Sequence, residues 1–136
     1  MSRTTVVAGI QMSCVIGNKD ANVDKALKLI EEAANRGAKV VLLQELFNTE
    51  YVCFRRVRDF DVFRYAEPIP GATTTRIGEA AKRHGIYVIA PIFEKAAPGV
   101  YYNTAPVIDP HGRVIGKYRK THIPAVRSLE KLYFRP

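Results

Sequence analysis

The chain is 136 residues long, one domain's worth of sequence and enough to bury a sizeable core. Its hydrophobic content of 47% sets aside disorder as the default, and no apolar run reaches the length of a bilayer span, so no membrane partner is expected. A net charge of +8 raises the question of an anionic partner, but neither a Cys/His finger spacing nor a ribonucleoprotein strand motif occurs, so nucleic acid is not the expected partner.

The positive charge is clustered. Arg55, Arg56, Arg58 and Arg64 share one segment, and Lys117, Arg119, Lys120, Arg127, Lys131 and Arg135 load the C-terminal end. Such runs read first as solvated faces. Two cysteines, Cys14 and Cys53, make no disulfide framework, and Met1–Thr5 leads into a short strand rather than a signal peptide's apolar core. A cytoplasmic compartment with both thiols reduced is therefore expected.

In chain order, residues 4–12 (TTVVAGIQM) read as a first strand. Asn18, Lys19 and Asp20 supply cap chemistry for a helix whose apolar positions Val23, Ala26, Leu27, Ile30, Ala33 and Ala34 form one stripe, closed by Gly37. Residues 38–43 form the next strand, completing a βαβ unit whose two strands are expected to be parallel. From Tyr51 to Ala66 aromatics and arginines mix without a clean period. The threefold spacing of Phe54, Val57, Phe60 and Phe63 suggests a short helix or 3₁₀ turn, ended by Pro68, Pro70 and Gly71. A second helix is predicted over residues 72–84, with a threonine cap near Thr73, with Ile77, Ala80 and Ala81 facing inward, and with Gly85 closing it. Residues 86–93 (IYVIAPIF) read as one buried strand. Residues 100–109 and 113–122 read as a hairpin turned by Asp109-Pro110-His111-Gly112. The pattern is β-α-β, an irregular stretch, then α-β-β-β: an α/β layered fold in one domain.

Two stretches carry candidate chemistry. If residues 40–46 are extended, Val41, Leu43 and Glu45 share one face, at the carboxyl end of a strand where such sheets gather their binding groups. A carboxylate there is desolvated, and its pKa is expected to rise toward the range of a general base. The alternative is a strand-end Glu turned into solvent. Along residues 116–122, Gly116, Tyr118, Lys120 and His122 share one face and Lys117 and Arg119 the other. If the first set faces inward, Lys120 is a partly buried ammonium seeking an acid, and Glu45 is a natural partner. The alternative is a basic edge strand that uses lysines against aggregation.

Other motifs fail. Gly112-Arg113-Val114-Ile115-Gly116-Lys117-Tyr118 is one residue too short for a phosphate-binding loop and has Tyr where Ser or Thr must meet the metal. No dinucleotide fingerprint occurs, and His84, His111 and His122 lack metal-ligand spacing. No cofactor and no metal are expected.

The ordered set LLQELFNTEY, YAEPIPG, IFEK, YYNTAPVID and GKYRKTHIP, running from GIQMSC to LEKLYFRP, closely resembles the nitrilase (carbon–nitrogen hydrolase) superfamily, and within it the N-carbamoyl amidases. The resemblance implies an α/β fold, the amino-terminal part of a four-layer α-β-β-α sandwich of the nitrilase type, and a Glu-Lys-Cys site. On the matching positions Glu45 is the general base, Lys120 the catalytic lysine and Glu130 the supporting second glutamate. Tyr51 and Asn103 are candidates for substrate-side contacts, with a structural role as the alternative. The implied substrate is a small N-carbamoyl or amide compound, hydrolysed through a thioester to amine, carbon dioxide and ammonia. A homo-oligomer, with a dimer as the default, is implied for the full-length family.

The family's nucleophilic cysteine lies on a strand beyond the matching residues. Cys14 and Cys53 sit in contexts unlike the nucleophile motif and are expected to be buried hydrophobes. Residues 1–136 are therefore expected to be a carbon–nitrogen hydrolase domain truncated before that strand and inactive alone, with the carboxyl-terminal half as a partner if it is separately encoded. The alternative is a non-catalytic remnant or partner module of the same fold.

Overall fold

The computed structural model describes residues 4–54, 58–125 and 128–136. Arg55, Arg56, Val57 and Arg127, which figure in the basic clusters and the threefold pattern, lie outside them. The elements are β1 (Val7–Ile10), α1 (Lys19–Asn35), β2 (Val40–Leu43), 3₁₀ turns at Val52–Phe54 and Phe60–Tyr65, α2 (Ala72–His84), β3 (Tyr87–Ile89), β4 (Ile92–Ala97), β5 (Val100–Ile108), β6 (Val114–Arg119) and α3 (Glu130–Tyr133).

The βαβ expectation holds: β1 and β2 pair in parallel, and β2 pairs in parallel with β3. β5 runs antiparallel to β3, β4 and β6. β3 and β4 follow one another along one edge of β5, and β6 takes the other edge. All strands except β5 therefore run one way, and their carboxyl ends gather at one end of the sheet.

Asn18 caps α1 by accepting the Ala21 N–H, and Gly37 follows the helix with φ +89°. The predicted bounds of α2 match, but its cap differs. Gly71 is the N-cap residue, its N–H donates to Thr74 Oγ1, and Thr73 lies buried inside the first turn. Gly78 of α2 meets Gly112 of the β5–β6 turn backbone to backbone, where a Cβ on Gly78 would stand 2.5 Å from the Gly112 carbonyl oxygen.

Two expectations need correction. The single strand over residues 86–93 is two, because the chain breaks at Ala90-Pro91 and proline cannot donate to a ladder. The 3₁₀ expectation, by contrast, holds in the turns at Val52–Phe54 and Phe60–Tyr65, which bury Val52, Cys53, Val62 and Tyr65 and leave Phe54 and Phe60 exposed. Residues 40–46 are not extended throughout: β2 ends at Leu43, and Glu45 sits in a turn with a side chain 42% exposed. Glu45 is thus more exposed than expected, although its carboxylate is not simply turned to solvent: it accepts from Lys120 and Asn103.

That turn pivots on Leu46, whose φ of +52° is left-handed. For a leucine this costs about 1–2 kcal/mol. Complete burial of the same side chain contributes about 1.5–3 kcal/mol and outweighs it. Leu46 and Phe47 then enter two different cores. On one face α1 and α2 cover Val41, Leu43, Val88, Ile92 and Ile108, joined by Phe47. On the other face, toward the carboxyl ends, Leu46, Cys53, Phe93, Tyr133 and Phe134 form a second, smaller core.

Beyond that second core the same face is bare. Val7 is 68% and Tyr118 60% exposed, with Leu42 and Tyr87 also exposed between them. Apolar surface of this extent favours association. The 136-residue chain is expected to sediment as a dimer or larger species, and Leu42→Lys on the bare face is expected to shift it toward monomer. A monomer at high concentration in the unmodified chain contradicts this.

Two buried carboxylates tie the sheet together. Glu94 on β4 accepts from Thr104, Lys117 and Arg119; Asp109 accepts from Arg113 and from backbone N–H groups of the β5–β6 turn. Burial opposes ionisation of both. The hydrogen bonds outweigh it and hold each carboxyl at about 2. Because these values lie below those of the unfolded chain, the stability they contribute is full above the ordinary carboxylate range and is lost as pH falls toward about 2. Acid titration of the melting temperature should show this loss, and Glu94→Gln should flatten its share of it.

Candidate active site

Glu45 follows the end of β2, Lys120 follows the end of β6, and Asn103 lies on β5 beside them. Parallel β2 and β6 therefore deliver their carboxyl ends to one place, on the sheet face opposite the helices. Asn103 is next to Thr104 on β5, so alternation sends its side chain to that face. The Lys120 N–H donates to Asn103 O at 2.9 Å, which extends the β5–β6 ladder by one residue and fixes the lysine's direction.

The Lys120 ammonium donates to Glu45 Oε1 at 3.0 Å and to Glu130 Oε2 at 2.9 Å. Burial alone would lower its pKa; the hydrogen bonds from it to Glu130 and Glu45 more than offset this and hold it above the usual lysine value. Asn103 Nδ2 also donates to Glu45 Oε1. Glu130 is the buried member, with a side chain 3% exposed. Its Oε1 accepts the Tyr51 hydroxyl at 2.8 Å, and its N–H donates to Ser128 Oγ at 3.2 Å. Both oxygens of this buried carboxylate are therefore partnered, one by the Lys120 ammonium and the other by the Tyr51 hydroxyl. The Tyr51 hydroxyl, itself partly buried and bonded to Glu130, is pushed up from its ordinary value.

Glu45, Lys120 and Glu130, expected to act together, are within hydrogen-bond distance of one another through the ammonium. Tyr51 and Asn103 are at the same site, each donating to one of the two carboxylates. Ser128 escaped the sequence reading; its hydroxyl accepts the N–H two residues on, a local serine turn just before α3, and a lone serine carries no signal of that role. A cleft of about 360 Å³ opens beside Glu45 and Lys120, floored by Leu42, Ala105 and Tyr118 of the bare sheet face.

Neither cysteine is poised as a nucleophile. Cys53 is fully buried in the second core; burial, then the Glu130 and Glu45 charges, push its thiol up to about 12. Cys14 donates to Phe47 O at 3.3 Å on the helix side, and burial raises it as well. Among the described residues no group of three or more His, Cys, Asp or Glu could hold a metal ion, and no helix is long and apolar enough to cross a membrane.

Known proteins share this arrangement of sequence and fold. A nitrilase of Pyrococcus abyssi is 44% identical over 131 residues, which are 96% of this chain and 47% of that protein. An N-carbamoylputrescine amidase of Solanum lycopersicum is 36% identical over 99% of this chain and 44% of its own length. The crystal structure of a carbon–nitrogen hydrolase from Helicobacter pylori G27 superposes with a TM-score of 0.85 at 30% identity, covering 95% of this chain and 44% of that one. The chain thus spans less than half the length of these relatives. The family profile described as carbon-nitrogen hydrolase matches residues 6–136, and the chain belongs to that family, the nitrilase superfamily.

Proposed function

We propose that Glu45, Lys120 and Glu130 serve the hydrolysis of a C–N bond in a small N-carbamoyl or amide substrate, with a cysteine thiol supplied from outside these 136 residues. The observation that carries this reading is one ammonium held simultaneously by two carboxylates at the mouth of a cleft. The name of the tomato relative, N-carbamoylputrescine amidase, supports the carbamoyl class.

An amide or carbamoyl carbon is a weak electrophile, and a thiolate is a nucleophile strong enough to attack it. Glu45 takes the thiol proton on Oε2, the oxygen that makes neither of its hydrogen bonds to Lys120 and Asn103. Sulfur then bonds to the carbonyl carbon, and Lys120 stabilises the oxyanion that develops. Glu45 returns the proton to the departing nitrogen, and ammonia leaves a thioester. Water, deprotonated by Glu45, attacks the thioester, and the thiol departs. A carbamoyl substrate yields a carbamic acid, which splits to amine and carbon dioxide. Glu130 holds Lys120 from the side away from Glu45, and Tyr51 holds Glu130. Asn103 fixes the rotamer of Glu45 and lines the cleft beside it, the space for substrate.

Alone, the chain is expected not to hydrolyse N-carbamoylputrescine or N-carbamoyl-β-alanine. With the thiol-bearing segment supplied, turnover is expected, and Glu45→Gln and Lys120→Met should each lower kcat by about two to three orders of magnitude. Full activity in either variant would defeat these roles. No turnover with the thiol present would favour a non-catalytic module of the same fold.

A direct check concerns the internal thiols. With its thiol at about 12, Cys53 in the native chain should be alkylated about a thousandfold more slowly than an ordinary thiol at neutral pH. Rapid alkylation of Cys53, or turnover by the chain alone that is lost on changing Cys53 or Cys14, would identify an internal nucleophile and overturn the proposal.

A further inference from the structure

Glu94 lies on the helix side of the sheet, opposite Lys120, and the proposed chemistry does not require it. Its surroundings are nonetheless unusual for an edge of a sheet. Among the described residues β6 pairs only with β5, and most of its side chains are exposed. The Asp109–Gly112 turn sets the register where β6 begins, but the far end of the strand, around Lys117–Arg119, has one ladder and no buried face to keep it there.

Glu94, 1% exposed, supplies a second hold at that far end. From β4 its carboxylate reaches across β5. It accepts Thr104 Oγ1 at 2.6 Å on the way, then the Arg119 Nε and Nη2 groups, both at 2.9 Å, and the Lys117 ammonium. Arg119 also lies over the Tyr102 ring, 3.8 Å from its centroid. Lys117 and Arg119 are two residues apart, so both project toward Glu94. The next residue, Lys120, then projects to the far face, where Glu45 and Glu130 are. A slip of one residue would reverse this, sending Lys120 to the helix side.

We propose that Glu94 is the positioning residue for Lys120: by clamping Lys117 and Arg119 through β5 it holds the carboxyl end of β6 in register, and so delivers the Lys120 ammonium to Glu45 and Glu130. The bidentate contact with Arg119 gives the clamp its directionality, because two parallel N–H donors fix an orientation that a single ammonium cannot. Lys120 has catalytic meaning only under the amidase reading, whereas its placement by Glu94 is a matter of geometry and can be tested without turnover.

The test is the reactivity of each lysine toward a small amine-acylating reagent at mildly alkaline pH, read by peptide mass spectrometry on the full chain. An ammonium held by two carboxylates acylates slowly; a released one does not. In Glu94→Gln and Glu94→Leu, labelling of Lys120 relative to exposed Lys28 on α1 should rise about tenfold. An unchanged ratio in a folded variant overturns the proposal. A rise shared equally by Lys25 and Lys28 also overturns it, since Glu94 would then stabilise the domain without placing Lys120. If neither variant folds, Arg119→Met opens the same clamp from its solvent side and is read the same way. A selective rise in Lys120 labelling, with no turnover when the thiol-bearing segment is present, would retain the clamp and remove the amidase reading.

Discussion

The sharing of one ammonium between two carboxylates organises the carboxyl-terminal side of this domain. Glu45 and Glu130 come from a turn after β2 and from the short α3, and without a cation between them their charges would repel. Lys120 makes their approach favourable. The segment after β6 can therefore fold back over the sheet, where Leu129 N–H bonds Cys53 O and Arg135 N–H bonds Tyr101 O, both at 2.9 Å. That return path brings Ile123, Tyr133 and Phe134 onto Phe93 and builds the second core. Polar chemistry and apolar packing are thus consequences of the same closure.

The two faces of the β4–β5–β6 region carry opposite charge surpluses. On the helix side one carboxylate meets two cations; on the other, one cation meets two carboxylates. A site with a surplus negative charge is suited to accept a proton, because taking one up moves it toward neutrality. The same surplus disfavours any thiolate that forms nearby without giving its proton to the site. Cys53 shows the effect: the nearby glutamates raise its thiol beyond what burial alone does.

Much of the framework is legible because it is written in local periods. The stripe from Val23 to Ala34 forms α1, Gly85 closes α2 in a left-handed conformation, and Asp109-Pro110-His111-Gly112 turns the hairpin. The turn at Glu45–Thr49 is not legible. It contains no glycine or proline, and its pivot is a leucine held left-handed by tertiary packing, which no local rule anticipates. The Lys120–Glu45 pairing follows from strand faces only once the motif resemblance selects between the inward and edge readings. In the structure the two readings are compatible, since β6 is an edge and Lys120 lies just past its end. That Asn103 and Tyr51 each turn to a carboxylate depends on how distant segments meet, which a single sequence does not encode in any short window.

The sequence distances inside the Lys120 cluster bear on how the domain reaches its final state. Glu45 and Lys120 are 75 residues apart, and Tyr51 and Glu130 are 79 apart. No locally nucleated piece, such as the β1–α1–β2 unit or the β5–β6 hairpin, contains more than part of the cluster. Closing loops of this length costs entropy that only the assembled sheet repays. The cluster therefore requires β5 to have joined the hairpin to the parallel strands. The ammonium's two ion pairs are in this sense a seal on completed topology, and a chain with its sheet only partly assembled has no version of this site.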